Sequence, residues 1–339
     1  MNRRPTIIDV ARLAGVSKST VSRVIRGDGA SVSDSARKRV KEAIVELGYE
    51  HNAVASSLRT EQTNTIMLAI PDIANPFWPD VARGVQDVMD DEGIAVVFAN
   101  SDWEGRRERE FLRMASRNRF DGVLINPIAV DPGELRALTI PVVLIGSRDD
   151  FPDFDTVGSD SYGATCQALE YLMSLGHRTI GLIRGQGKSR PGFSRLRGYL
   201  DYGREHDLPL DDSYVVEVPF DFEGGRRAMY RLLAMSRPPT AILAANDILA
   251  LGALQAAHEL DVDVPGTLSI VGMDDIFAAA TTTPPLTTMA KPKYEIGRTA
   301  AGMLLKRMRQ HESQPPQRHI FSCMLRERGS SGPAPPAPT

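Results

Sequence analysis

Four glycines and a Lys-Ser pair stand together in Gly181–Gly192, "GLIRGQGKSRPG", just behind an apolar run, and a loop of that composition could cradle phosphate. A Walker loop needs four residues between its first glycine and the Gly-Lys-Ser/Thr, so that backbone N–H groups curl around the phosphates. Counted back from Gly187-Lys188-Ser189, that place is held by Leu182, and Gly181 lies one position early. The dinucleotide fingerprint fails at its third glycine, because Gly185-x-Gly187 is followed by Arg190 where helix and strand must pack closely. No Gly-x-Ser-x-Gly elbow is present, the six histidines include no His-x-x-x-His pair, and Cys166 and Cys323 are far apart. Catalysis, a metal centre and a resident cofactor are therefore not expected, and the thiols read as free and buried in a cytoplasmic protein.

A second set of reactive groups lies near the N-terminus. Lys18, Ser19, Ser22 and Arg23 fall on one side of a short apolar-periodic segment, rich in hydrogen-bond donors and free of acids. Such a face suits a polyanion better than water, since a merely solvated face mixes charge signs. Charge distribution agrees: residues 1–60 hold 11 Lys/Arg against 6 Asp/Glu, whereas the whole chain holds 40 against 43. A basic head thus precedes an acidic body.

The elements that carry this face are legible. Thr6 can cap a first helix, with Asp9 completing an approximate capping box, and Ile7, Val10, Ala11 and Ala14 form its apolar stripe. Gly15 permits a turn, and Ser17 can cap a second helix whose inward residues are Val21, Val24 and Ile25. A third helix is capped by Ser33, turns Val40, Ala43, Ile44 and Leu47 inward, and stops at Gly48. Ala11-x-x-x-Gly15-Val16-Ser17 between two short amphipathic helices is helix-turn-helix spacing, in which the second helix enters the DNA major groove.

Here the chain resembles the lactose/galactose/purine-repressor family of bacterial transcription regulators. The resemblance rests on "TIIDVARLAGVSKSTVSRV", "GYEHNAVASSLRTEQTNTI", "PDIANPFW", "ALEYLMSLGHRTIGLI", "RLRGY", "AANDILALGAL", "VPGTLSIVGMDD" and "PPLTTMAKPKYEIGRTA", in that order, and reaches to about Arg328. It implies that Lys18 and Ser19 read bases, that Arg23 adds a base contact, and that Thr6, Ser17, Thr20 and Ser22 contribute further DNA contacts, mostly to phosphate. It also implies that Asn52–Arg59 folds only on DNA, pairs with its copy in a second subunit, and wedges Leu58 into the minor groove beside Ala55, with Asn52 at its start. Two departures weaken that segment: His51 stands where the family commonly has Pro, and Ser56 where it often has Arg.

Beyond Thr65, apolar strands alternate with amphipathic helices: "TIMLAI", "IAVVFA", "GVLIN", "PVVLI", "TIGLI", "YVVEV", "TAILA" and "LSIVG". That rhythm predicts an α/β core of doubly wound parallel sheets, and eight such strands exceed one half, so two lobes with a cleft at the strand C-termini are expected. The resemblance implies a periplasmic-binding-protein-like core, with an N-lobe of 64–161 and 291–320 and a C-lobe of 162–290 and 321–328. A helix-turn-helix head at 1–50 and a hinge at 51–63 precede it, and a disordered Pro/Ala/Ser-rich tail at 329–339 follows it. The acidic stretch Arg148–Asp155 reads as solvated.

From the strand ends, the resemblance selects Phe77, Trp78, Asn126, Arg195, Phe220, Asn246 and Asp274 as effector contacts, with Asp160 and Lys291 as further family ligand positions and Ser189 or Arg190 as contacts from the glycine-rich loop. An aromatic such as Trp78 or Phe220 would cover the apolar face of a sugar or purine, while the polar groups fork onto hydroxyls or ring nitrogens. The function expected is a homodimeric regulator of pseudo-palindromic operator DNA, controlled by a small metabolite, with a sugar or sugar derivative ahead of a purine. Two rivals share parts of this pattern. A solute-binding protein of transport type would need an export signal, and none is seen at "MNRRPTIIDVARLAG", nor is any run long enough to span a bilayer. A nucleotide-dependent enzyme would need the glycine motifs that fail above.

Overall fold

The computed structural model describes residues 5–25, 32–49, 63–117, 120–146, 150–185, 193–209, 211–309 and 314–336. The hinge positions Asn52, Ala55 and Leu58, and the loop positions Ser189 and Arg190, lie outside the described residues. Two compact units divide the chain, residues 1–63 and 64–339.

The first unit is built on helices α1 (Ile7–Ala14), α2 (Lys18–Ile25) and α3 (Asp34–Leu47). The Thr6 backbone N–H and hydroxyl both donate to the Asp9 carboxylate, at 2.9 and 2.6 Å, fixing the start of α1. Gly15 and Gly48 end α1 and α3 in the left-handed region, at φ of 62° and 58°, where a side chain would be strained. Val10, Ala14, Val21, Val40 and Ala43 are buried where the three helices meet, which is the stripe read from the sequence.

The second unit holds two six-stranded sheets. The first runs in the order β11-β5-β4-β3-β1-β2, from β1 (Thr65–Ile70), β2 (Ala95–Asn100), β3 (Gly122–Ile125), β4 (Val142–Ile145), β5 (Asp155–Ser159) and β11 (Arg318–Phe321). The second runs β12-β10-β9-β8-β6-β7, from β6 (Ile180–Gly185), β7 (Val215–Val218), β8 (Ala241–Ala244), β9 (Ser269–Asp274), β10 (Thr287–Ala290) and β12 (Met324–Arg326). Every pairing is parallel except β10 with β12. The two-lobed, doubly wound α/β architecture is thus present, and the chain passes between sheets after Ser159, after Ala290 and after Phe321.

Eight of the strands are the apolar runs named above. The other four, "DTVGS", "TTMA", "RHIF" and "MLR", carry too few large apolar residues to read as strands. Helices cover the sheets, chiefly α4 (Phe77–Asp91), α5 (Gly105–Arg117) and α11 (Lys293–Arg309) on the first, and α7 (Ser161–Ser174), α8 (Phe193–Glu205), α9 (Phe222–Leu233) and α10 (Asp247–Glu259) on the second; the short α6 (Pro132–Arg136) follows β3. Where α4 and α11 cross, a Cβ on Gly84 would lie 2.1 Å from the Tyr294 carbonyl oxygen, and one on Gly297 would lie 2.0 Å from that of Val81. Glycine at both positions is what lets the backbones touch.

Two expectations are corrected. The tail is not disordered over 329–336: Ser330 and Ser331 are buried, the Ser330 hydroxyl donates to the Ile270 carbonyl at 2.6 Å, and the Ile270 N–H donates to the Ser330 carbonyl at 2.7 Å. Its small residues fit against strand backbone, a use that composition alone does not distinguish from disorder. The acidic stretch is not simply solvated either, since Phe151 is core and buried Asp155 accepts a bidentate pair from Arg307 at 2.6 and 2.7 Å.

Candidate functional site

On α2, Lys18, Ser19 and Arg23 are exposed, and Thr20 and Ser22 are half-buried at the edge of the same face. The Ser17 hydroxyl accepts from the Thr20 backbone N–H at 3.2 Å and lies 2.7 Å from the Ser19 hydroxyl, so Ser17 closes the first turn of the helix. Neither Lys18 nor Arg23 makes an ion pair among the described residues, and the first turn holds no acid. Positive helix end, lysine and arginine therefore present unopposed charge to one side. Thr6 already commits its N–H and hydroxyl to Asp9, leaving only acceptor capacity on that hydroxyl.

The cleft of the second unit is a cavity of about 110 Å³ at the strand C-termini. Phe77, Trp78, Asn126, Arg195, Phe220, Asn246, Asp274 and Lys291 all line it. Each is set there by its element. Phe77 and Trp78 open α4 behind a turn in which the Asn75 carboxamide accepts the Phe77 N–H at 3.0 Å. Asn126 leaves β3 and donates to the Ile145 carbonyl at 2.6 Å. Asn246 caps α10 by accepting the Leu249 N–H at 2.9 Å.

Arg195 lies in the first turn of α8 with its Nε 3.1 Å from the Met273 sulfur, and burial lowers its pKa while Asp274 opposes that shift. Asp274 ends β9 at φ 125°, a conformation that L side chains rarely adopt. It is held there from both ends: Lys291 Nζ donates to its carboxylate at 2.8 Å and Lys293 Nζ to its carbonyl at 3.0 Å. Lys291 also lies 5.6 Å from the centre of the Phe77 ring, and burial together with Arg195 lowers its pKa.

Two aromatic surfaces differ from the expectation. Trp78 is only 5% exposed and packs edge-on to Phe77 at 5.0 Å within the core of the first sheet, so it is chiefly a core residue. Phe220 instead stacks on Trp103, at 5.1 Å and 9° between planes, across the two lobes. Trp103 follows β2 in a turn that begins with buried Ser101, and the sequence reading missed it because "SDWEG" looks like a plain loop. Gly185 is explained here too: a Cβ would lie 1.8 Å from the Phe220 ring, so this glycine makes room for an aromatic.

Asp160 is corrected as well. It does not line the cavity; it is exposed and caps α7, accepting the Gly163 N–H at 2.8 Å. Ser159, Ser161 and Ser194, not foreseen, do line it. The arrangement offers donors, acceptors and flat rings around a small space. Among the described residues no group of His, Cys, Asp and Glu could hold a metal ion, and no helix is long and apolar enough to cross a membrane.

Residues 6–52 match the family described as bacterial regulatory proteins, lacI family, and residues 169–331 match the periplasmic binding protein-like domain. The ribose operon repressor of Escherichia coli K12 is 36% identical over 330 residues, covering 96% of this chain and 99% of that protein. Among solved structures, the lac repressor dimer bound to operator and the anti-inducer ONPF is 27% identical with a TM-score of 0.87, covering 97% of this chain and 100% of that one. A LacI family regulator from Enterococcus faecium with bound ribose is 28% identical with a TM-score of 0.71, covering 79% of this chain and 99% of that one. Head, two-lobed core and relatives agree: this chain belongs to the lacI family of bacterial regulatory proteins and is a DNA-binding transcriptional regulator controlled by a metabolite.

Proposed function

We propose that the chain is a homodimeric repressor, acting in the cytoplasm, whose hold on a pseudo-palindromic operator is set by a sugar or sugar derivative in the cleft. It binds and releases; it does not turn its ligand over. Lys18 and Ser19 read bases, with Arg23 beside them, while Ser17, Thr20 and Ser22 meet phosphates; at Thr6, whose own donors are held by Asp9, the contact falls to the backbone N–H groups that open α1. The hinge wedge is assigned to Leu58, with Ala55 and Asn52 around it. Head 1–50, hinge 51–63 and a core beginning at 64 are the working divisions. Phe77, Asn126, Arg195, Phe220, Asn246, Asp274 and Lys291 are the effector contacts, and Trp103 joins them through its stack on Phe220.

The observation that carries this reading is the acid-free, exposed donor face of α2 in a chain 36% identical to a ribose operon repressor over nearly its whole length. Support for a dimer comes from Val97 and Phe98, exposed on the edge strand β2, together with the likeness to a repressor solved as a dimer. Selection from a random DNA pool tests the operator half: two inverted half-sites are expected, and single or absent half-sites overturn the dimeric reader. Titrating the selected operator with and without pentoses, hexoses and their derivatives tests the other half. Arg195→Ala is expected to abolish whatever effector response the parent shows; a full response at unchanged effector affinity removes Arg195 from the site.

A further inference from the structure

We infer that the effector is a single sugar ring, bound as a monosaccharide, and that Trp103 is the residue that shuts out longer ligands such as disaccharides and nucleosides. The inference rests on the sugar-binding reading above and narrows it. Strand order carries the first step. In the first sheet β11 and β5, whose ends lead into the other lobe, lie together at one edge, and β2 forms the opposite edge. In the second sheet β12 and β10 lie at one edge and β7 at the other. The crossovers therefore wall one side of the cleft, and the ends of β2 and β7 are farthest from them. Trp103 follows β2 and Phe220 follows β7. Their stacked rings, 5.1 Å apart and 9° from parallel, bar the cleft on that open side, and both line the cavity.

The turn that presents the indole is strained. Asp102 and Trp103 are consecutive non-glycine residues in the left-handed region, at φ of 50° and 60°. Glycine or asparagine adopts that conformation far more readily than tryptophan. Several contacts hold it in place. The Trp103 N–H donates to the Pro71 carbonyl at 3.2 Å, the Glu104 N–H to the Ser101 carbonyl at 2.9 Å, and the Asn100 carboxamide to the Asp102 carboxylate at 2.6 Å. Arg107 pairs with the same carboxylate. A turn that only joined β2 to α5 would have no use for a large ring at a strained position, so the strain points to the ring itself. Phe220 is confined from its own lobe by Gly185, where a Cβ would lie 1.8 Å from the ring.

Size decides the ligand. The cavity is about 110 Å³, whereas sites for drug-sized molecules run to roughly 300–1,000 Å³. One ring with its hydroxyls is what Asn126, Asn246 and Asp274 can surround while the stack stays closed. A second ring, sugar or base, has to pass between Trp103 and Phe220 and part them. An obstacle of this kind discriminates against the longer ligand without weakening any contact to the shorter one.

The test compares sugars with their own extensions on the full-length protein: ribose with adenosine and cytidine, xylose with xylobiose, glucose with maltose and cellobiose, galactose with lactose. Titration calorimetry reads the affinities. At least one monosaccharide is expected to bind, at least about tenfold tighter than its extensions, the scale of a parted aromatic stack and its buried area. Trp103→Ala should narrow that ratio severalfold by admitting the longer ligand, and Trp103→Phe, which keeps a ring to stack, should hold it. Phe220→Leu opens the same side from the other lobe and replaces Trp103→Ala if that variant does not fold. The inference is overturned if a disaccharide or nucleoside binds the parent as tightly as its monosaccharide, or if opening the stack leaves the ratio unchanged. A longer sugar that binds and shifts operator affinity would remove this inference and leave the sugar-controlled regulator standing. Binding by no sugar of either length would remove the sugar reading, and this inference with it.

Discussion

Lys18 is exposed, without an ion pair among the described residues, on a helix whose first turn holds no acid, so its charge is available to a base edge or phosphate. Lys18→Ala should cost about 1–3 kcal/mol at one half-site position and flatten the preference for that base. Ranking single-base operator variants against parent and variant measures it; an unchanged ranking assigns Lys18 to phosphate instead. Asp247 supports a different kind of prediction. Burial, helped by the charge of Asp274, raises its pKa from 3.8 to about 7. The native state therefore keeps a proton that the unfolded chain gives up near pH 4. This term favours the fold fully below about pH 4 and is lost as pH rises to about 7. Asp247→Asn keeps the shape and mimics the protonated acid, its amide oxygen accepting the Ile276 N–H and its NH2 donating to a reoriented Thr288 hydroxyl, so its stability relative to the parent should climb across that interval, by up to a few kcal/mol. Urea midpoints of the two proteins at pH 5, 6, 7 and 8 decide it: parallel curves would mean that Asp247 titrates normally. At this scale the sequence revealed which chemistries converge but not their depth. Trp78 and Trp103 look alike in a string of letters; only packing makes one a core residue and the other half of a stack with Phe220.

Elements were most legible where a strong periodic signal met a punctuating residue. Thr6 with Asp9, and Gly15 and Gly48 in the left-handed region, bracket the helices of the head because caps and stops are local chemistry. The strands β5 and β10 were not legible, for their sequences "DTVGS" and "TTMA" are buried by tertiary context and not by intrinsic preference. The C-terminal segment failed in the same way. Ser331 hydrogen-bonds the hydroxyls of Thr287 at 2.7 Å and Tyr171 at 2.8 Å, and the Gly332 carbonyl lies 3.1 Å from His177 Nε2. Truncation after Arg328 removes these partners and bares the buried His177, Ser269 and Thr287, so the core should lose about 2–5 kcal/mol of stability. Chemical denaturation of the truncated chain checks this; an unchanged midpoint would return the tail to the disordered class. At the opposite edge, β2 exposes Val97 and Phe98 at 36% and 44%. If a second copy covers them, Phe98→Lys buries a charge in that contact and should raise the dimer dissociation constant by at least about tenfold. Sedimentation at micromolar concentration measures it, and an unshifted dimer places the interface elsewhere.

At the scale of the whole molecule, the chain crosses between its two sheets after Ser159, Ala290 and Phe321, and the cleft takes walls from both lobes. Asp274 sits at the junction of these features: β9 carries it, Lys291 and Lys293 hold it from the second crossover, and Trp103 meets Phe220 across the same gap. A ligand that changes the lobe angle must therefore change this contact set. If it also changes operator affinity by some factor, operator must change ligand affinity by the same factor, because both are one coupling free energy. The only tryptophans are Trp78 and Trp103. Trp103→Phe leaves emission to the core indole, so a ligand-induced change seen in the parent and absent in that variant reports the stack. The decisive measurement closes the thermodynamic cycle: operator affinity with saturating effector and without it, and effector affinity with saturating operator and without it, on one preparation at one salt concentration. The two ratios should agree, and a repressor that clears its site by about 5.5 kcal/mol would show a ratio near 10⁴ in each. Unequal ratios would show that the effector acts through a change in assembly state and not through a two-state core.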